Sequence, residues 1–131
     1  MIGGGGEQRT LRTVANFADQ WNIWGRPDDL YQKIDILERH CLQVGRDSKE
    51  IHKTATGLLV IAENEVDAET IRDGSGHRGG LVGTVGQLRE FVNQYAAAGV
   101  DELIIPDFAM RPGCVAETLD RFRADVVNYF K

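Results

Sequence analysis

Short strand-like runs alternate with amphipathic helical stretches along this chain, and that alternation is what most restricts its fold. Met1-Ile2 begins a strand that runs into four glycines. Leu11, Val14, Ala15 and Ala18 then follow at i, i+3, i+4 and i+7, which predicts a helix over Glu7–Ala18. Trp21–Trp24 reads as a second strand. Pro27 suits the first turn of the next helix, and Asp28 and Asp29 complement its positive end. The inner face of that helix carries Leu30, Ile34, Leu37, Cys41 and Val44, and Gly45 ends it.

Thr54–Ala62, rich in β-branched residues and leucine, predicts a third strand. Asn64 is placed to cap a short helix reaching about Arg72. Asp73–Gly83 is glycine-rich and reads as a flexible loop. Thr84 and Gln87 form a capping box for a helix with Leu88, Phe91, Val92 and Tyr95 inward and Gly99 at its close. Asp101–Pro106 is a fourth strand whose central apolar run suggests burial on both faces. Ala116–Phe130 is a last helix facing inward through Leu119, Phe122, Val126 and Tyr129.

The order β-α-β-α-β-α-α-β-α implies βαβ units and a parallel α/β sheet. The 131 residues make one domain. Four strands form either a small open sheet of flavodoxin type or half of an eight-stranded barrel. A complete (β/α)₈ barrel needs roughly 200 or more residues.

A net charge of −5 argues against a broad nucleic-acid or anionic-membrane surface. Cys41 and Cys114 are far apart, with no ligand spacing to a histidine, so neither a zinc site nor a disulfide framework is indicated. Both read as thiols in a reducing compartment, and the chain as cytoplasmic. No apolar run approaches the ~20 residues needed to span a bilayer, and the N-terminus lacks the pattern of a signal peptide.

Four glycines between a strand and a helix leave backbone N–H groups bare at the positive end of a helix dipole, which suits a phosphate. The Thr10 hydroxyl is placed to add a bond, and Arg9 or Arg12 to supply charge. The plain alternative is a tight turn with no ligand. A dinucleotide-binding loop fits less well. Gly-x-Gly-x-x-Gly starting at Gly3 needs glycine where Gln8 stands, and Asn22 and Trp24 end the second strand where an acidic residue is required.

Ile2–Arg12 reads Ile-Gly-Gly-Gly-Gly-Glu-Gln-Arg-Thr-Leu-Arg, and Phe17–Asn22 reads Phe-Ala-Asp-Gln-Trp-Asn. With Pro27–Leu30, His40–Asp47, Gly83-Thr84 with Gln87, and Ala98–Ile104 in that order, the chain resembles the luciferase-like monooxygenase family. The resemblance spans nearly the whole length. It implies the C-terminal half of a (β/α)₈ barrel, roughly strands five to eight. It also implies an oxidoreductase of small organic substrates working with reduced flavin (FMN) or the deazaflavin F420. Gly3, Gly4, Gly5, Gly6, Glu7, Thr10 and Asn22 then belong to the cofactor site, with Gly83-Thr84 and Asp107 on the same side. Met1 becomes an internal residue of the full barrel, or a start within a truncated gene. Val85 and Gly86 stand where the family pattern has proline and glutamate.

No catalytic residue and no metal site is identified. Trp21 reads either as core or as part of the barrel mouth, and Asn22 either as the first loop residue or as a hydrogen-bonding group for a cofactor or substrate edge. Asp107 reads as a solvated loop residue or as a base. His77 and Arg78 read as a solvated loop or an anion clamp. His40 suits the end of its helix, and His52 shows no companion ligand. Glu63, Glu65, Asp67 and Glu69 read as a solvated face. A half-barrel leaves two sheet edges and one apolar wall open. The expected partner is a second copy of the chain or the missing N-terminal half. The competing reading is a non-catalytic phosphate-binding or assembly module that self-associates through that opening.

Overall fold

A computed structural model describes residues 1–131. The chain runs β1 (Ile2–Gly3), α1 (Thr10–Phe17), β2 (Gln20–Trp24), α2 (Pro27–Val44), a 3-10 turn, and β3 (His52–Thr56). It continues through β4 (Leu59–Ile61), α3 (Glu65–Ser75), a 3-10 turn at Gly76–Arg78, β5 (Leu81–Gly83), α4 (Val85–Ala98), β6 (Glu102–Ile104) and α5 (Val115–Phe122). The strands β1, β2, β3 and β6 form one sheet in that order, all parallel. The strands β4 and β5 pair in parallel as a separate two-stranded sheet.

Register assigns the two faces of the main sheet. Trp21 pairs with Lys53, and Ile23 with Ala55 and through it Leu103. Trp21, Ile23 and Ala55 pack in the main core with Leu11, Val14, Leu30, Ile34 and Leu37, so this face meets the helices. Burying each large side chain of that set stabilises the fold by about 1.5–3 kcal/mol. Alternation puts Gln20, Asn22 and Trp24, His52, Thr54 and Thr56, and Glu102 and Ile104 on the other face. The expected open apolar wall is therefore mostly polar.

The caps follow the local signals. Asn64 accepts from the Asp67 N–H at 2.9 Å. Thr84 and Gln87 exchange their capping bonds at 3.3 and 3.0 Å. Gly45 and Gly99 end α2 and α4 in the left-handed region, at φ 73° and 98°.

Several expectations are corrected. The helix predicted from Glu7 begins at Thr10, because the Glu7 carbonyl and carboxylate are engaged by His40 and Lys33. The predicted third strand is two strands. The Gly57 N–H still donates to Ile104 of β6, but Leu58 already bonds to Arg78 and Leu81, so the chain changes sheets there. The segment 73–83, expected as an irregular loop, holds the end of α3, a 3-10 turn and β5, with Leu81 and Val82 fully buried. Its glycines permit close approach: a Cβ on Gly80 would lie 2.0 Å from the Tyr95 hydroxyl. Leu103 and Ile104 are only half-buried, because β6 is an edge strand. A π-helical turn at Arg123–Val127 shifts the phase of the last helix, leaving Tyr129 exposed while Phe122 and Val126 are buried. Val44 stands exposed at the last turn of α2.

Candidate functional site

The carboxyl ends of the parallel strands deliver the glycine loop, Gly25, Gly57 and the segment after Ile104 to one end of the sheet. A cleft of about 600 Å³ opens there. Gly3, Gly4, Gly5, Asn22, Ile23 and Trp24 line one side, and Asp29, Gln32, Lys33 and His77 the other.

The glycine loop is held by specific bonds. The Gly4 N–H donates to the Asn22 carbonyl at 3.0 Å, which extends the β1–β2 ladder by one residue. Gly4 then turns at φ 114°, a conformation that favours glycine. Its carbonyl accepts from the Trp21 indole at 2.8 Å. The Gly5 carbonyl accepts from Lys33 Nζ at 2.8 Å, and that ammonium also meets the Glu7 carboxylate at 3.1 Å. His40 Nε2 lies 2.8 Å from the Glu7 carbonyl. A Cβ on Gly5 would lie 2.7 Å from Ile23 Cδ1, and one on Gly6 2.8 Å from Thr10 Oγ1. The N–H groups of Gly5, Gly6 and Glu7 meet no backbone acceptor. The loop thus has its carbonyls tied down and its N–H groups available, an arrangement that fits an anion and not a cation.

Asn22 sits beside this loop. Its Oδ1 accepts from the Thr54 hydroxyl at 2.8 Å and the Thr56 hydroxyl at 3.0 Å. The next residue on the same face, Trp24, lies between Arg78, whose guanidinium is 5.4 Å from the indole, and Phe108, 6.3 Å away. Arg26 places the 76–78 turn: its guanidinium donates to the Arg72 and Gly76 carbonyls at the end of α3. That strap holds His77 at the cleft.

Of the site residues read from the sequence, Gly3, Gly4, Gly5 and Asn22 line the cleft, whereas Gly6, Glu7 and Thr10 do not. Thr10 packs against Gly6, and Glu7 buttresses the loop through Lys33. Arg9 and Arg12 are exposed and away from the cleft, and the cation present is Lys33. Gly83-Thr84 forms a helix cap outside the cleft, and Asp107 is exposed there too. Trp21 is core, fully buried. His52 has an acidic companion, Glu102, at 2.9 Å, and Glu63 pairs with Arg121 at 2.8 Å. No group of His, Cys, Asp and Glu is arranged to hold a metal ion.

Sequence reasoning missed Lys33, Thr54 and Thr56. Threonines two apart in a strand share a face, so their pairing with Asn22 was a readable signal. Lys33, four residues after Asp29, shares its helix face. Tyr95, fully buried, donates to the Gly25 carbonyl at 2.6 Å and so supports the turn after β2. Burial pushes its pKa well above the ordinary tyrosine value, with nearby Asp29 adding to the shift. Burial likewise raises the Cys41 thiol.

No protein-family model matches the chain. No curated protein matches it in sequence. Among solved structures it is similar to the coenzyme F420-dependent tetrahydromethanopterin reductase of Methanopyrus kandleri, with a TM-score of 0.73 and 15% identity over 98% of this chain and 50% of that one. It is also similar to a long-chain alkane monooxygenase, with a TM-score of 0.69 and 12% identity over 94% of this chain and 39% of that one. An F420-dependent secondary alcohol dehydrogenase, in complex with an F420-acetone adduct, gives a TM-score of 0.69 and 11% identity over 98% and 48%. The fold here is therefore half of a TIM barrel. The chain spans about half the length of the structures it matches. No helix is long and apolar enough to cross a membrane.

Proposed function

We propose that this chain is the cofactor-phosphate half of a luciferase-like oxidoreductase barrel that uses F420 or FMN. The glycine loop carries the reading: its carbonyls are held by Trp21 and Lys33, and the unpaired Gly5 N–H belongs to a residue that lines the cleft. The similar structures include an F420-dependent reductase, an F420-dependent alcohol dehydrogenase and a monooxygenase, which favours redox chemistry on a small organic molecule.

In this reading Gly3, Gly4 and Gly5 line the phosphate cleft, with the Gly5 N–H free to donate, and Gly6 follows just outside it. Glu7 and Thr10 shape the loop, and Asn22 donates from the adjoining strand. The bound deazaflavin or flavin supplies the hydride chemistry, and the protein binds and orients it. The opposite wall of the pocket comes from a second half-barrel, either a separate N-terminal half or another copy of this chain. A flavin or F420 titration followed by fluorescence tests the proposal. Saturable binding that is stronger for FMN than for riboflavin is expected; no binding at millimolar ligand would overturn it.

A non-catalytic assembly module is the second reading, and the unpaired edges β1 and β6 favour it. Substrate-dependent turnover with reduced cofactor separates the two.

A further inference from the structure

The polar face of the sheet carries an arrangement that the phosphate loop does not explain. Thr54 and Thr56, the two hydroxyl residues of this sheet, are only 4% and 5% exposed. Both are spent on one atom, Asn22 Oδ1, at 2.8 and 3.0 Å. The register places Asn22 directly across from Thr54 and two positions before the Trp24–Thr56 pair, on the same face, so both hydroxyls reach the amide oxygen. Thr54 Oγ1 has a second, longer neighbour in the Trp21 carbonyl, at 3.2 Å. A primary amide has one acceptor end and one donor end. With the acceptor end occupied twice, Asn22 Nδ2 is the end left over. It donates to no protein atom, on a residue that lines the cleft next to Gly3 and Gly4.

We infer that Asn22 is a hydrogen-bond donor of fixed polarity at this cleft, and that Thr54 and Thr56 are positioning residues that set which end of the amide faces the ligand. The inference rests on the reading of the cleft as a ligand site and specifies what that site selects. At this point it takes a group with an acceptor oxygen or ring nitrogen, and it disfavours one that presents only donors. Fixing the amide beforehand spares its ordering on binding, which is where preorganisation contributes to affinity. Asn22→Asp would replace the donor by a carboxylate and set like charge against an anionic ligand. Threonine-to-valine changes keep the shape and remove the hydroxyl.

The full chain is used, as wild type, Asn22→Asp, Thr54→Val, Thr56→Val and the Thr54→Ser/Thr56→Ser double variant. Binding of FMN and of riboflavin is measured by fluorescence, and the Asn22 side-chain amide is followed by ¹⁵N NMR without ligand. Each valine variant is expected to weaken FMN binding about three- to tenfold, the equivalent of one modest hydrogen bond. The serine variant keeps wild-type affinity, and Asn22→Asp loses about tenfold or more. Weakening confined to FMN assigns the acceptor to the phosphate, and equal weakening for riboflavin assigns it to the ring edge. FMN affinity unchanged in Asn22→Asp overturns the inference. So does an Asn22 amide whose ligand-free protons contact the threonine hydroxyls, or whose shifts are unmoved by the valine changes. If wild type binds neither flavin, the cofactor reading fails, and the NMR comparison alone decides the orientation of the amide.

Discussion

Lys33 Nζ donates to the Gly5 carbonyl at 2.8 Å, tying the second helix to the glycine loop that precedes the first. The same ammonium meets the Glu7 carboxylate at 3.1 Å, and the lysine side chain is 24% exposed. One cation thus fixes both ends of the turn whose N–H groups meet no backbone acceptor.

Lys33→Met keeps the aliphatic stem and removes both bonds. A partly shielded charge-assisted bond of this kind contributes about 1–2 kcal/mol. The variant is expected to melt about 3–6 °C lower. It should also lose flavin affinity more than an exposed control such as Arg12→Met. Equal affinity in the two variants would show that the strap does not shape the loop.

Gly5→Ala introduces a methyl 2.7 Å from Ile23 Cδ1, and Ile23 is itself only 6% exposed. Overpacking of this sort costs about 1–3 kcal/mol. Ile23→Val removes the atom in conflict. The double variant is expected to recover part of the stability lost in Gly5→Ala, so a double-mutant cycle should return a favourable coupling. Strict additivity would place the strain elsewhere.

Tyr95→Phe leaves the Gly25 carbonyl without its 2.6 Å donor in a buried site. The expected cost is about 1–3 kcal/mol in chemical denaturation. The pH dependence follows from burial, which raises the folded pKa above the unfolded value of about 10. The neutral phenol is favoured in the folded state. Its contribution is therefore complete below pH about 10 and is lost as pH climbs beyond that toward the raised folded value. Wild type should lose stability more steeply than Tyr95→Phe across that alkaline range; parallel curves would count against it.

Cys41 is 1% exposed on the inner face of α2, and burial raises its thiol pKa. Cys114 is partly accessible. A thiol reagent at neutral pH should therefore modify one cysteine quickly, at Cys114, and reach Cys41 only on unfolding. Rapid labelling of Cys41 would reveal opening of the α2 packing.

Legibility in the sequence followed the range of the interaction. Asn64, Thr84 with Gln87, Gly45 and Gly99 act over one helical turn, and their caps stand where the residues alone predict them. The helix after the glycine run was readable because Leu11, Val14, Ala15 and Ala18 keep a strong apolar spacing. At Gly57 the periodicity continues while the chain changes sheets, a decision made by Arg78 and Ile104 from distant segments. The glycines of 73–83 look like freedom in the sequence. In the fold Gly80 admits the Tyr95 hydroxyl and the Gly25 carbonyl.

By itself the sequence determined the succession from β1 to β3, the caps, and the glycine loop before α1. Those depend on backbone sterics and on contacts within a few residues. Only the tertiary structure decided that Lys33 serves the loop rather than Arg9 or Arg12, that Thr54 and Thr56 turn the Asn22 amide, and that His77 reaches the cleft. Each of those needs side chains from separate elements within about 3–5 Å of a common point. Parallel pairing and the Arg26 strap bring them there, and no local pattern encodes that meeting.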